Sequence, residues 1–222
     1  MLYSVLLVAS EPTKINLFSI AVKGGFLMLV LLLISIVAVA IIINRMQVLK
    51  RSKNVDEELV NKINQQLKMH GVEHVLASEE LQNNIPIANV IRKALEYYQG
   101  SWTEIREIIE SSVKHEIHLL ERYLGTLATF AAIAPLIGFL GTVTGMVKVF
   151  MKIGETGGGV DISLLANGIW EALITTIGGL SVGIITILFY NYLVGKIENL
   201  AQQLEDETND FIFTLRRLKD EN

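Results

Sequence analysis

The chain has 222 residues, of which 51% are hydrophobic, and its 19 Lys and Arg against 23 Asp and Glu give a formal net charge of −4. A charge this small, with no basic stripe interleaved with aromatic side chains, gives no reason to expect nucleic acid as a partner. The absence of cysteine excludes disulfides, thiolate nucleophiles and cysteine-based zinc sites.

Three blocks of sequence are long and apolar enough to cross a bilayer. They are residues 24–43, 124–147 and 162–194, and the first two contain no charged residue. A transmembrane helix needs roughly 20 mostly apolar residues. The first block is not typical of a cleaved signal peptide, because its apolar core is too long and no basic region precedes it. The sequence therefore predicts an all-α membrane protein with three transmembrane helices.

Lysine and arginine residues near the span ends predict the orientation, since cytoplasmic flanks are richer in these residues. Within 20 residues of the span ends, nine of them lie in 44–123 and 195–222, against four in 1–23 and 148–161. We therefore expect 44–123 to be a cytoplasmic helical domain and 195–222 a cytoplasmic C-terminal helix. The N-terminal segment 1–23 and the loop 148–161 are expected on the outer side.

Helical patterns extend from the second and third spans into the segments expected in the cytoplasm. Ser101 and Glu104 form the capping-box sequence S-x-x-E, which marks a helix start. Apolar residues then recur every three or four positions into the second span, which predicts one long helix that begins in the cytoplasm and enters the membrane. A similar stripe from Ile197 to Leu218 predicts that the third span continues as an amphipathic helix.

Two histidine pairs and a glycine-rich run have simple structural interpretations. His70 with His74, and His115 with His118, have helical spacing, but both pairs lie among charged residues and neither is H-E-x-x-H. Solvated helix faces are favoured over zinc sites, and we expect no metal and no other cofactor. The run at 154–159 lacks the Lys-Ser/Thr of a phosphate-binding loop and is interpreted as a flexible outer connection.

Small residues distinguish the second and third spans from the first. Gly141 with Gly145, and Gly179 with Gly183, form two G-x-x-x-G motifs, a spacing that lets helix backbones approach closely. The first span has bulky Leu, Ile and Val nearly all round. We therefore expect the first span to face lipid and the other two to form the interior of an assembly.

Glu171 is an acidic residue inside the third span. If Asp161 marks the outer boundary, Glu171 lies about 15 Å deep, near the midplane of a roughly 30 Å core. An acid there costs about 2.5–3.5 kcal/mol even on translocon scales, and usually faces a bundle interior or a watery cavity. Thr175 lies one turn further on, and Thr142 of the second span could reach the same level, so both could relay a hydrogen bond. The alternative is a neutral Glu171 bonded permanently to a hydroxyl or a carbonyl.

Two motifs carry a resemblance to a known family. They are APLIGFLGTVTGM at 134–146 and GIWEALITTIGGLSVGI at 168–184, separated by a glycine-rich connection. In this combination they resemble the MotA/TolQ/ExbB proton-channel family. Three spans with an outer N-terminus are similar to the ExbB/TolQ branch, because flagellar stator subunits of the MotA kind have four. The match at motif level covers about 134–192.

The resemblance implies an assembly and a mechanism. ExbB-like proteins form pentamers in the bacterial inner membrane around the spans of a small ExbD/TolR-like protein. Their N-terminus is periplasmic and their C-terminus cytoplasmic. Proton flow drives a motion that is transmitted to the outer membrane, in some systems through a TonB- or TolA-like protein. Energised nutrient uptake, envelope maintenance and other surface processes all stay open as the output.

The resemblance also implies which residues form the ion path. The family's third-span Glu matches Glu171, the Thr five residues later matches Thr176, and the Thr of the G-T-V motif matches Thr142. Thr175 and Trp170 depart from the family pattern. Extra hydroxyls near a carboxylate leave Na⁺ open as the ion beside H⁺.

A non-conducting membrane scaffold is the alternative from another functional class. In that case the spans only hold a single-span partner, and Glu171 anchors it through a static hydrogen bond. An enzyme is not expected, because no nucleophile–base constellation or metal set is predicted in the interior.

Overall fold

The computed structural model describes residues 24–52, 57–82, 85–155 and 162–220. Within these ranges the regular structure is entirely helical, with no strand. The helices are α1 (Gly25–Ser52), α2 (Glu57–Leu76), α3 (Glu79–Gln82), α4 (Pro86–Glu96), α5 (Trp102–Glu121), α6 (Leu124–Glu155) and α7 (Ile162–Asp220). The predicted N-terminal segment 1–23 lies outside the described residues.

Three helices, α1, α6 and α7, contain segments long and apolar enough to cross a membrane. The prediction of an all-α chain with three such helices is confirmed. Helix α6 continues past the predicted span end at Val147 to Glu155, so the first half of the predicted loop 148–161 is helical. The physical reason is that hydropathy marks where apolar side chains end, whereas a helix ends where its backbone hydrogen bonds end. Residues 156–161 lie outside the described part of the chain.

The helix predicted to run unbroken from Trp102 into the second span is interrupted, and that prediction is wrong. Helix α5 ends at Glu121 and α6 begins at Leu124. Arg122 is extended, with φ −52° and ψ 134°, and Tyr123 has φ 68°, in the left-handed region that non-glycine residues seldom occupy. The apolar stripe continues across the break, and for that reason side-chain periodicity gave no sign of it.

Arg45 of α1 supplies donors to the end of α5. Its Nη1 donates to Leu119 O at 3.0 Å and to Leu120 O at 3.4 Å, and the residue is 7% exposed. Its Nε and Nη2 donate to Asn44 Oδ1, and its guanidinium lies 5.5 Å from the centre of the Tyr123 ring. The last carbonyls of a helix have no partner within that helix. Arg45 therefore satisfies two carbonyls where α5 stops.

The described residues form two compact units, here called the span unit and the bundle unit. The span unit comprises 24–37 and 129–186, and the bundle unit comprises 38–128 and 187–220. In the bundle unit, apolar side chains of α2, α4, α5 and α7 form one core. Its fully buried members include Ile63, Ile87, Ile91, Ile105 and Phe211.

The start of α5 has the capping box that the sequence predicts. The Ser101 backbone N–H donates to Glu104 Oε2 at 2.8 Å, and the Glu104 backbone N–H donates to Ser101 Oγ at 3.3 Å. The hydrogen bond from Ser101 lowers the pKa of the Glu104 carboxyl. Next to this start, Trp102 packs against the core.

The C-terminal part of α7 is held in the bundle unit at both core and surface. Phe211 and Leu215 are fully buried. Lys219 Nζ donates to Tyr98 O at 2.8 Å and to Gly100 O, in the connection between α4 and α5. The predicted amphipathic extension of the third span is confirmed as helix, and this part of it belongs to a core.

In the span unit, α6 and α7 pack with their backbones in direct contact. A Cβ on Gly179 would lie 2.5 Å from Ala134 O and 2.7 Å from Gly138 Cα, closer than real Cβ atoms come. The other predicted packing glycines lie along the same interface, where a Cβ would meet Thr175 Cγ2 from Gly141, Ala172 Cβ at 3.0 Å from Gly145 and Pro135 Cγ at 2.6 Å from Gly183. We call this line of contacts the glycine seam.

Replacing Arg45 tests the support of the α5 end. We expect Arg45→Met to lower the free energy of unfolding by about 1.5–3 kcal/mol, because the charged donor to two carbonyls at the end of α5 is lost. Arg106→Met is the matched control, since Arg106 forms an exposed ion pair with Glu110 at 2.9 Å. That control should cost less than about 1 kcal/mol. Denaturant unfolding in detergent, followed by circular dichroism, measures both, and equal small losses would contradict the role of Arg45.

Adding one methyl group tests the glycine seam. Gly179→Ala should destabilise the protein by about 1–3 kcal/mol, because the seam has no room for the new side chain. Gly195→Ala is the control, since no atom lies within 4 Å of its Cβ position. A helical Gly→Ala change in open space should instead stabilise by about 0.5–1 kcal/mol. Thermal unfolding in one detergent compares them, and the same sign for both would contradict the close packing.

Candidate ion site in the span unit

Two threonines next to Glu171 join α7 to its neighbouring helices. Thr175 Oγ1 donates to Glu171 O at 2.8 Å and also lies 3.2 Å from Gly24 O, just before α1. Thr176 Oγ1 donates to Gly138 O of α6 at 3.0 Å. Thr175 is 1% exposed. These hydroxyls therefore satisfy backbone carbonyls and connect three helices in an apolar setting.

Thr142 does not meet Glu171 through its hydroxyl. Its Oγ1 donates to Phe139 O, one turn back on α6, at 2.7 Å. In the described residues, the hydrogen bonds of Thr142, Thr175 and Thr176 all go to backbone carbonyls and not to the Glu171 carboxylate. The part of these hydroxyls in an ion path stays a prediction, and the geometry gives Thr175 and Thr176 a part in joining helices.

The Glu171 carboxylate lies between α6 and the start of α1. Its Oε1 is 3.4 Å from Lys148 Nζ of α6, with the two side chains 33% and 66% exposed. The same oxygen lies 2.6 Å from the position of a Cβ on Gly25, the first residue of α1, whose φ is 68°. The N-terminus of a helix carries a partial positive charge, which favours an anion beside it. Glu171 thus faces an ammonium group and a helix start. Both contacts lie at the ends of predicted spans, so the predicted depth of Glu171 near the midplane is wrong.

Lys148 is the residue of this site that the sequence did not reveal. It was counted only among the flanking charges of the outer side, because no spacing rule within one helix connects positions on different helices. The signal available in the sequence was a lysine a few residues beyond the G-T-V motif, near the end of the same span. Which side chain it meets depends on the stagger of α6 against α7, which the glycine seam sets.

An open cavity of about 360 Å³ reaches this pair. It is lined by Gly145, Lys148, Val149, Met151, Lys152, Glu155, Asn167, Gly168 and Glu171. Such a volume with charged and amide groups in its wall is suited to hold water. Water in this cavity would give Glu171 contact with solvent from the side of the α6–α7 connection. Trp170, beside Glu171, is 53% exposed.

The histidine pairs lie on exposed helix faces, as the sequence analysis predicted. All four side chains are exposed, and the rings of His70 and His74 are 4.8 Å apart between centroids. Gly71, between them, has φ 78° and interrupts the helical geometry of α2. Among the described residues, no group of three or more potential metal ligands is gathered in one place.

Residues 82–206, a range that includes the glycine seam, Lys148 and Glu171, match the model of the MotA/TolQ/ExbB proton channel family. An ExbB-like protein of Synechocystis sp. is 31% identical over 202 residues, which is 89% of this chain and 94% of the relative. An ExbB homologue of Methanothermobacter thermautotrophicus is 28% identical over 184 residues, 82% of this chain and 64% of the relative.

Shorter matches give the same result. The biopolymer transport protein ExbB of Neisseria gonorrhoeae is 34% identical over 112 residues, 50% of each chain. The resemblance inferred from the two sequence motifs is thereby confirmed. With its three apolar helices, this chain is a multi-pass membrane protein that belongs to the MotA/TolQ/ExbB proton channel family, in its ExbB branch.

Proposed function

We propose that this chain is a subunit of a proton channel in which Glu171 binds and releases the transported ion. The observation that carries the proposal is the placement of this carboxylate in an apolar helix, beside Lys148 and at the wall of an open cavity. An acid within a membrane-spanning segment is costly, and such residues mark ion pathways in membrane proteins. The family of this chain is a proton channel family, which supports the same function.

The channel is proposed to drive mechanical work. One elementary charge that crosses 100 mV releases about 2.3 kcal/mol. That energy shifts a two-state equilibrium by roughly fifty-fold. In this proposal, protonation and deprotonation of Glu171 alternate as an acidic group of a partner passes, and the proton motive force thereby energises processes at the outer membrane such as TonB-dependent transport. Thr142, Thr175 and Thr176 are proposed to belong to the ion path, where Thr175 and Thr176 also hold its helices together.

The proposed assembly is a homopentamer around an ExbD/TolR-like single-span protein, with a TonB- or TolA-like protein as a further partner. Large apolar side chains cover the outer faces of α6 and α7 in the single chain, and these include Leu136, Phe139, Val143, Leu173, Ile177 and Ile184. Lipid or other subunits must cover surfaces of this size. In this proposal, other subunits cover part of the α6 and α7 surfaces and lipid covers the rest, while α1 faces lipid.

The charge bias of the flanking segments supports an inner-membrane orientation with the N-terminus in the periplasm and the C-terminus in the cytoplasm. The bundle unit would then lie on the cytoplasmic side. The cavity at Glu171 would open towards the periplasm, from which protons enter when they flow down the gradient.

Replacing Glu171 tests the proposed function. In proteoliposomes that contain the purified complex, Glu171→Gln should lower the proton flux driven by a membrane potential by more than about tenfold, because an amide has no titratable proton. Glu198→Gln, on an exposed face of the same helix, is the control and should leave the flux unchanged. A pH-sensitive dye inside the vesicles measures the flux.

The same vesicles distinguish the alternatives. Full flux and full biological activity of Glu171→Gln would contradict the ion-path role and favour the scaffold, since Gln can keep a static hydrogen bond. Flux that follows a Na⁺ gradient at constant pH would replace H⁺ by Na⁺ as the ion. Loss of flux in both Glu171→Gln and Glu198→Gln would point to general damage and not to a specific site.

The proposed assembly is tested by native mass spectrometry after mild solubilisation from the native host. We expect a mass of five times the 24.7 kDa of one chain, plus a small single-span companion. Five copies alone would keep the pentamer and mean that the partner is held weakly. A monomer or dimer in several detergents would contradict the shared interior.

A further inference from the structure

The ion pair between Lys148 and Glu171 has an unusual position. It joins α6 to α7 inside the span unit, with 3.4 Å between Nζ and Oε1. Lys148 lies about two turns before the end of α6 at Glu155, so its Cα is roughly 10 Å along the helix axis from that end. The Lys148 side chain is 66% exposed and lines the same cavity as Glu171. The cation is therefore in contact with the acid but not enclosed.

A proton and the Lys148 ammonium compete for the same carboxylate. With the pair formed, the site is neutral, which lowers the cost of placing an acid among apolar helices. When Glu171 takes up a proton, the ammonium loses its counter-charge. A lysine near the end of a membrane helix can then extend its four-carbon stem towards the aqueous boundary, as lysines at such positions do. The open cavity provides the space for that movement.

Two more charged side chains line the cavity beyond Lys148. Lys152 is one helical turn beyond Lys148, and Glu155 follows at the end of α6, with both side chains in the cavity wall. The wall therefore carries charge of both signs where a withdrawn Lys148 would lie.

We propose that Lys148 is the resident counter-ion of Glu171, and that its ammonium withdraws along the cavity when the transported ion takes its place on the carboxylate. Lys148 is thus a positioning residue that controls access to Glu171. This inference rests on the proposed ion-path function of Glu171. It adds a gate formed by the chain's own side chain, on the side of the α6–α7 connection.

The first test measures how accessible the Glu171 carboxyl is. The probe is dicyclohexylcarbodiimide, a hydrophobic reagent that modifies protonated carboxyls, applied to the full-length complex in membranes. Loss of the unmodified Glu171 peptide is followed by mass spectrometry. Lys148→Met should speed this loss about 1.5- to 5-fold, the factor that corresponds to the roughly 0.2–1 kcal/mol of a part-exposed ion pair.

Two variants serve as controls for this measurement. Lys148→Arg keeps the positive charge and should react like the wild type. Lys152→Met removes a positive charge from the same cavity but leaves the ammonium that contacts Glu171, and it should have a smaller effect than Lys148→Met. If Lys148→Met does not assemble, Lys148→Gln replaces it as a polar neutral variant. An unchanged rate without Lys148, or an equal rise in Lys152→Met, would overturn the proposal.

Proton flux in proteoliposomes separates this inference from the proposed function. We expect Lys148→Met to raise the basal flux by the same 1.5- to 5-fold. If Glu171→Gln does not alter the flux while labelling depends on Lys148, the counter-ion stands and the proposed function fails. If the flux depends on Glu171 while neither flux nor labelling responds to Lys148, the proposed function stands and the gate is overturned.

Discussion

The direct contact between the backbones of α6 and α7 is the constraint on which the span unit depends. Helices in lipid gain little from hiding apolar side chains, so they associate through close packing and hydrogen bonds. At Gly138 and Gly179 the two backbones touch, and no side chain fits between them. This contact fixes both the distance and the stagger of the helices. Thr176 can bridge to Gly138, and Lys148 can meet Glu171, because the stagger is set there.

The polar groups of the span unit fall into two sets with different partners. The threonine hydroxyls are bonded to backbone carbonyls, so their hydrogen-bonding needs are met within the helices. Glu171 instead contacts a side chain that is long, charged and partly exposed. A hydrogen bond from a hydroxyl to a carbonyl is not changed by protonation, because neither group titrates. An ion pair, in contrast, is lost when its acid binds a proton. Of these groups, Glu171 is therefore the one whose contact changes when it binds a proton.

Much of this arrangement could be predicted from the sequence, for identifiable reasons. The three apolar helices follow from block length, and the start of α5 follows from the Ser101–Glu104 spacing, because both signals are local. The glycines of the seam follow from G-x-x-x-G spacing. In each case the information lies within one helix.

The features that were missed depend on two helices or on single backbone angles. The break at Tyr123 needs one residue with a positive φ, and the apolar stripe passes through it unchanged. Arg45 supports that break from a distant part of the chain. Lys148 meets Glu171 only because α6 and α7 have one particular stagger. Hydropathy and periodicity contain no information about such pairings.

The two tryptophans of the chain are divided between the two units. Trp102 packs against the bundle core, whereas Trp170 lies next to Glu171 with half of its surface uncovered. Indole emission shifts in wavelength with the polarity and charge of its surroundings. With Phe in place of Trp102, the remaining emission would come from one turn of α7 beside the acid. The protein therefore contains its own optical reporter of that site, which needs no attached label and can be followed in real time while a gradient is imposed.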